Sequence, residues 1–214
     1  MKKTKSFSVV GAVIGAVFVL GLGIANANII PTNDSIGPLV GGQYTWTYQA
    51  QLSADQDAFA GALPAGNPVS NLQFSTGSFF TVYDFAGYVA GSAAGPAGWT
   101  ATSQNVGFTP TDVIPIDNAS IPNITWTRTG GDPVLGQPSG VNLGNFTARS
   151  IYNTPTQVSY TSRGLANAGP QIGSIADNVG QTQAPTAAVP EPGTLLLLGF
   201  GLVGAAGLKR KFKK

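Results

Sequence analysis

Residues 43–52 read QYTWTYQAQL, and they alternate. Tyr44, Trp46 and Tyr48 fall on one face, and Thr45, Thr47 and Gln49 on the other. A period of two in aromatic and β-branched residues predicts a strand with one face in a core and one in water. Outward from it the pattern returns in Trp99–Val106 (WTATSQNV) and Asn123–Thr129 (NITWTRT). It recurs in Asn71–Tyr83 (NLQFSTGSFFTVY), as one strand or as two with Gly77 at a bend, and begins again at Tyr88–Ala90. Gly144–Tyr152 and Thr156–Arg163 are expected to close the body as an antiparallel pair joined through Asn153-Thr154-Pro155. Turn signals at Asp84–Gly87 and Gly130–Pro133 separate the runs. No segment of the body shows a helical period, so the expected fold is all-β, a single β-sandwich of about seven to nine short antiparallel strands. Ile29–Gly42, rich in Pro, Gly and Asn, reads as a loop. Ser53–Asn67 reads as a polar loop or a helical turn around Asp55 and Asp57. Thr109–Pro122 holds too many prolines for a central strand.

Both ends of the chain read as addresses. Lys2, Lys3 and Lys5 precede an uncharged run from Ser6 to Ile24, and Ala25-Asn26-Ala27 supplies the small-x-small pattern of a signal-peptidase site. Cleavage after Ala27 starts the mature chain at Asn28, and an uncleaved anchor is the alternative. At the other end, Pro190-Glu191-Pro192 has two φ angles fixed by proline. Gly193–Leu208 follows without a charge, then Lys209, Arg210, Lys211, Lys213 and Lys214, a basic tail that belongs in the cytoplasm. The apolar run falls just short of the roughly 17–25 residues of a spanning helix. It also carries Gly193, Gly199, Gly201, Gly204 and Gly207, which disfavour a permanent anchor. The organisation read here is a signal peptide at 1–27, a β-sandwich body at 28–163, an Ala/Gly/Gln/Pro-rich linker at 164–188 and a sorting segment at 189–214, with a transmembrane helix at 193–208.

Seven lysines and Arg210 sit in those two ends, so the body keeps only Arg128, Arg149 and Arg163 against eight aspartates, about −5 rather than the +2 of the whole chain. No basic face is available for nucleic acid. The chain has no Cys and no His, which excludes disulfides, thiol chemistry and Ser-His-Asp or Cys-His catalysis. A carboxylate pair, with Asp55 and Asp57 as the nearest candidate, is the remaining enzymatic option. Asp55/Asp57, Asp112/Asp117 and Asp132 lie in expected loops, but no twelve-residue calcium loop appears. The reading is therefore no catalytic residues, no metal site and no cofactor. Trp46 and Trp126, each between threonines in a strand, are expected in the core. Trp99, after GPAG at a strand start, is the candidate ligand contact. Four Asn-x-Ser/Thr sequences, at Asn33, Asn118, Asn123 and Asn145, are expected by chance in this composition.

The Pro-Glu-Pro, the Gly-containing apolar run and the basic cluster, in that order at the C-terminus, resemble the PEP-CTERM sorting signal of Gram-negative bacteria. The N-terminal leader implies export through the Sec translocon and removal by signal peptidase, and the resemblance implies processing near Pro190–Pro192 by an exosortase-like membrane protease. It implies a protein anchored transiently in the inner membrane and then placed at the cell surface or in the extracellular matrix, with exopolysaccharide as a candidate partner. Within the body, TWTY, FFTVYDFAGYV, GPAGW, NITWTRTG and LGNFTARS resemble segments of other such exported proteins. The function expected is a non-enzymatic surface or matrix structural protein, with a carbohydrate-binding module as the alternative.

Overall fold

A computed structural model describes residues 28–61 and 77–188. Ten strands follow in order: β1 (Ile29–Ile36), β2 (Tyr44–Leu52), β3 (Gln56–Ala58), β4 (Phe79–Val82), β5 (Trp99–Gln104), β6 (Asn123–Arg128), β7 (Val134–Leu135), β8 (Val141–Ser150), β9 (Thr154–Ala166) and β10 (Ile175–Thr186). One short 3-10 turn, Gly169–Gln171, is the only helical element among the described residues. All strand pairings are antiparallel. The fold class is all-β as expected, but with ten strands rather than seven to nine, because segments that read as loop or linker supply β1, β3 and β10.

Two sheets share the work. The smaller runs β1-β2-β8, and the larger holds seven strands, from β5 through β6 and β4 to β9. Arg163 of β9 pairs with Phe79 of β4 and also with Asp177 of β10, so these neighbours occupy opposite edges of β9. Leu165 likewise pairs with Asp57 of β3 and Ile175 of β10, which places β3 end to end with β4.

The expected strand at 43–52 is β2, and its alternation survives intact. Trp46, Tyr48, Ala50 and Leu52 are buried, with Thr45, Thr47 and Gln49 half-exposed between them. Trp46, Tyr48, Phe146 and Ala148 from the smaller sheet join Phe80, Val82, Ile124 and Trp126 from the larger in one apolar cluster. The three buried rings of this cluster that carry a polar atom each find a backbone carbonyl for it, as burial requires. The Trp46 indole donates to Tyr152 O at 3.0 Å, the Trp126 indole to Ala94 O at 3.1 Å, and the Tyr48 hydroxyl to Gln183 O at 2.9 Å.

Four expectations are corrected. Residues 29–42 are not all loop, because Ile29–Ile36 is the edge strand β1. The bond from Ser53 N to Asn28 O fixes which β1 residues bond β2 and turns the backbone groups of Pro31 outward, where a missing N–H breaks no ladder. Residues 54–60 form neither a helical turn nor a continuous loop, since Gln56–Ala58 is β3. Gly144–Tyr152 and Thr156–Arg163 do not pair with each other. β8 pairs with β2, β9 with β4, β3 and β10, and residues 151–153 carry the chain from one sheet to the other. Residues 164–188 are not a linker. β10 pairs with β9 over twelve residues, from Ile175↔Leu165 to Thr186↔Thr154. Its small residues Ala176 and Ala184 are buried, so a complete backbone ladder compensates for the scarcity of large apolar groups. Tyr88–Ala90 contributes an isolated bridge, Tyr88↔Ser150, which together with Ala94↔Thr147 covers the outer edge of β8.

No helix among the described residues is long and apolar enough to cross a membrane. The signal peptide at 1–27 and the span expected at 193–208 lie outside the described residues.

Candidate functional site

The aspartates that sequence grouped as candidates are set to structural tasks or spread over the surface. Asp57 stands in β3, and its Oδ1 accepts from Gly136 N at 3.0 Å and from the Asn167 side chain. That carboxylate fastens the β7 turn to the end of β9. Asp55 lies in the preceding turn, and its carbonyl accepts from Asn167 N. Asp112 and Asp132 are exposed in separate loops. Asp117 accepts from the Asn123 side chain at 2.9 Å, and Asp84 accepts from Asn118 N at 2.9 Å. Burial holds the Asp84 carboxyl above its ordinary value, and Asp117 nearby pushes the same way against the Asn118 hydrogen bond. Among the described residues no three His, Cys, Asp or Glu side chains converge as a metal site would need.

Trp99 opens β5, as expected, but it is half-buried. Its ring meets Phe146 edge to face at 5.1 Å and tilts against Phe80 at 6.2 Å. The Arg128 guanidinium lies 6.0 Å from its centroid and donates to Asp132 O. Desolvation draws Arg128 below its ordinary value, an effect that Asp132 opposes. The ring is thus held by the core rather than presented as a free platform. Trp46 and Trp126 are wholly buried.

Two concave surfaces went unnoticed in the sequence, because cross-strand register creates them. One is a threonine shelf on the outside of the larger sheet, where Thr100↔Thr127 and Thr102↔Thr125 pair across β5 and β6 and Phe108 closes one side. The other is a groove of roughly 330 Å³ between the outer edges of β1 and β10. Ile30, Pro31, Thr32 and Asn33 form one wall, and Gln181, Thr182 and Gln183, with Gln157 of β9, form the other. The Asn33 side chain reaches Gln183 Oε1 across it at 3.4 Å. Asn33 Oδ1 and Thr182 Oγ1 are buried there without a hydrogen-bond partner. Among the described residues no charged or aromatic side chain lines this groove.

Comparison with known families bears on the C-terminus. Residues 188–211 match the family model described as the PEP-CTERM protein-sorting motif. The chain is therefore an exported protein carrying a C-terminal sorting signal. More particularly, it bears the PEP-CTERM motif, which implies handling by exosortase-type membrane machinery and a surface or extracellular destination. The match contains Pro190, Glu191 and Pro192 and the first three cations of the tail, Lys209, Arg210 and Lys211, and stops before Lys213 and Lys214. These residues, like Ala25 and Ala27, lie outside the described structure. No curated protein matches the chain.

Proposed function

We propose that this protein is a non-enzymatic structural component of the cell surface or extracellular matrix, built as one β-sandwich. In this reading Sec exports it, signal peptidase trims it after Ala27, and an exosortase-like protease processes it near Pro190–Pro192. The sorting motif at 188–211 is the observation that carries the proposal. Two sheets facing one another across a single aromatic core support the sandwich. Of the candidate aspartates, the Asp57 and Asp117 carboxylates hold loops and Asp112 and Asp132 are exposed in separate loops, and His and Cys are absent, which supports a body without catalysis.

Mass spectrometry of the protein recovered from the surface or medium tests it. A species beginning at Asn28 and lacking everything after about Pro192 is expected. An intact Lys214 in that fraction overturns the processing step.

A second reading, a carbohydrate-binding module, draws on the uncharged amide-lined groove between β1 and β10. Trp99 is a weaker basis for it, since that ring packs on Phe146 and beneath Arg128.

A further inference from the structure

We propose that the groove between the outer edges of β1 and β10 binds a neutral polyhydroxylated ligand, a segment of an uncharged polysaccharide. The proposal deepens the second reading above and rests on it.

The backbone makes the groove. Ser53 N bonds Asn28 O, so Ile30 and Thr32 direct their backbone groups to β2, while Pro31 and Asn33 direct theirs away from it. On the other wall, Ala166 N bonds Ser174 O, and by the same alternation Gln181 and Gln183 face outward from β9. The two sheet edges therefore look at each other, yet β1 and β10 do not pair. Pro31 has no donor to offer, and the Gln183 carbonyl already accepts from the Tyr48 hydroxyl. Two strand edges that approach without zipping leave a trough floored by partly satisfied polar groups.

Its chemistry selects the ligand. Four side-chain amides, those of Asn33, Gln157, Gln181 and Gln183, stand with the hydroxyls of Thr32 and Thr182. A sugar hydroxyl both donates and accepts, and an amide answers with a donor and an acceptor in one group, whereas a carboxylate only accepts and an ammonium only donates. Ile30, half-buried, gives the groove one apolar contact suited to the C–H face of a pyranose. Phosphates and metal ions find no opposite charge, and an aliphatic ligand would strip water from the amides. A peptide strand inserted between the edges meets the Asn33–Gln183 bond that already spans the gap. Beneath the lining, Asn33 Oδ1 and Thr182 Oγ1 are buried without a partner in the protein, Thr182 being only 6% exposed. The groove volume sits near the lower end of the roughly 300–1,000 Å³ usual for small-ligand clefts, in keeping with a short stretch of chain.

Affinity electrophoresis of the exported protein, in native gels cast with dextran, galactomannan or the polyuronate alginate, tests the assignment. Retardation by a neutral polysaccharide and not by alginate is expected. Gln157→Ala/Gln181→Ala, which changes two exposed side chains, should weaken that retardation at least about tenfold with an unchanged melting temperature. Thr100→Ala/Thr102→Ala on the far shelf should bind as the unaltered protein does. Retardation that persists in the glutamine variant overturns the groove while leaving the module reading in place. Mobility unaffected by any of the three polymers overturns both, and retardation by alginate alone overturns the neutral-ligand groove while leaving the module reading in place. Binding of a synthetic extended peptide that the glutamine variant abolishes, without any response to the neutral polymers, assigns the edges to strand pairing and overturns the polysaccharide.

Discussion

Phe80 of β4 and Phe146 of β8 meet edge to face, their centroids 4.9 Å apart at 87°, and they come from different sheets. Phe80 also stacks on Trp126 at 5.0 Å, and Phe146 turns its ring toward Trp99 at 5.1 Å. This four-ring cluster holds the smaller sheet to the larger in a chain with no disulfide to do so.

Phe146→Ala should therefore remove the ring through which β8 meets β4, β5 and β6. Truncating a wholly buried phenylalanine costs about 3–5 kcal/mol. Equilibrium urea unfolding followed by tryptophan fluorescence checks this: the midpoint falls while the slope stays unchanged. A loss under about 1 kcal/mol would show that the rings do not join the sheets.

Arg163 of β9 and Asp177 of β10 form a bidentate pair, both contacts at 2.7 Å, with both side chains largely buried. Asp177→Asn leaves the guanidinium uncompensated and should cost about 3 kcal/mol. Replacing both residues with leucine removes charge and partner together, and should restore most of the loss. Thermal melts of the two variants and the parent decide between a structural pair and a decorative one.

Gly136 sits where a β-carbon would collide with the backbone oxygens of Ser53 and Gln56. Neither oxygen belongs to a flexible side chain, so β3 and the β7 turn must move apart. Gly136→Ala is expected to destabilise by about 1–3 kcal/mol. Hydrogen exchange should localise the loosening to residues 53–58 and 134–137, with β5 and β6 unaffected.

The carboxyl of Asp84 is raised in the fold, first by burial. A raised acid favours the folded state while protonated. Its contribution is whole below the unfolded value of about 3.9 and is lost as pH climbs through the higher folded value. Asp84 also has φ of +51°, a conformation asparagine tolerates well. Asp84→Asn keeps an acceptor for Asn118 N and removes the charge, so it should flatten stability against pH just above 4 and leave neutral-pH stability equal or higher. Urea midpoints across pH 3–7 test the sign, and a steeper dependence in the variant would reverse it.

How much of this was legible beforehand follows the range of the forces involved. Trp46 and Trp126 announced themselves as core because alternation with threonine is a local pattern. β5 and β6 began within a residue of their expected starts for the same reason. Trp99 carried no such signal: whether an aromatic at a strand start is free or packed depends on what arrives beside it, here Phe146 and Arg128. The groove at β1 and β10 had no signal in either segment. Residues 29–36 looked like loop and 175–186 like linker, and their amides became neighbours only when each strand was claimed by a different sheet.

Local pattern and composition alone determined the all-β class, the aromatic core, the lack of His and Cys chemistry, and the C-terminal sorting address. Each is written in contiguous residues or in what the chain lacks. Tertiary structure decided which strands pair, that β8 and β9 part company at residues 151–153, and that a polar segment such as 175–186 is a strand at all. A β-strand takes its hydrogen bonds from another part of the chain, so its partner, and any site formed between two partners, is a property of the fold and not of the segment.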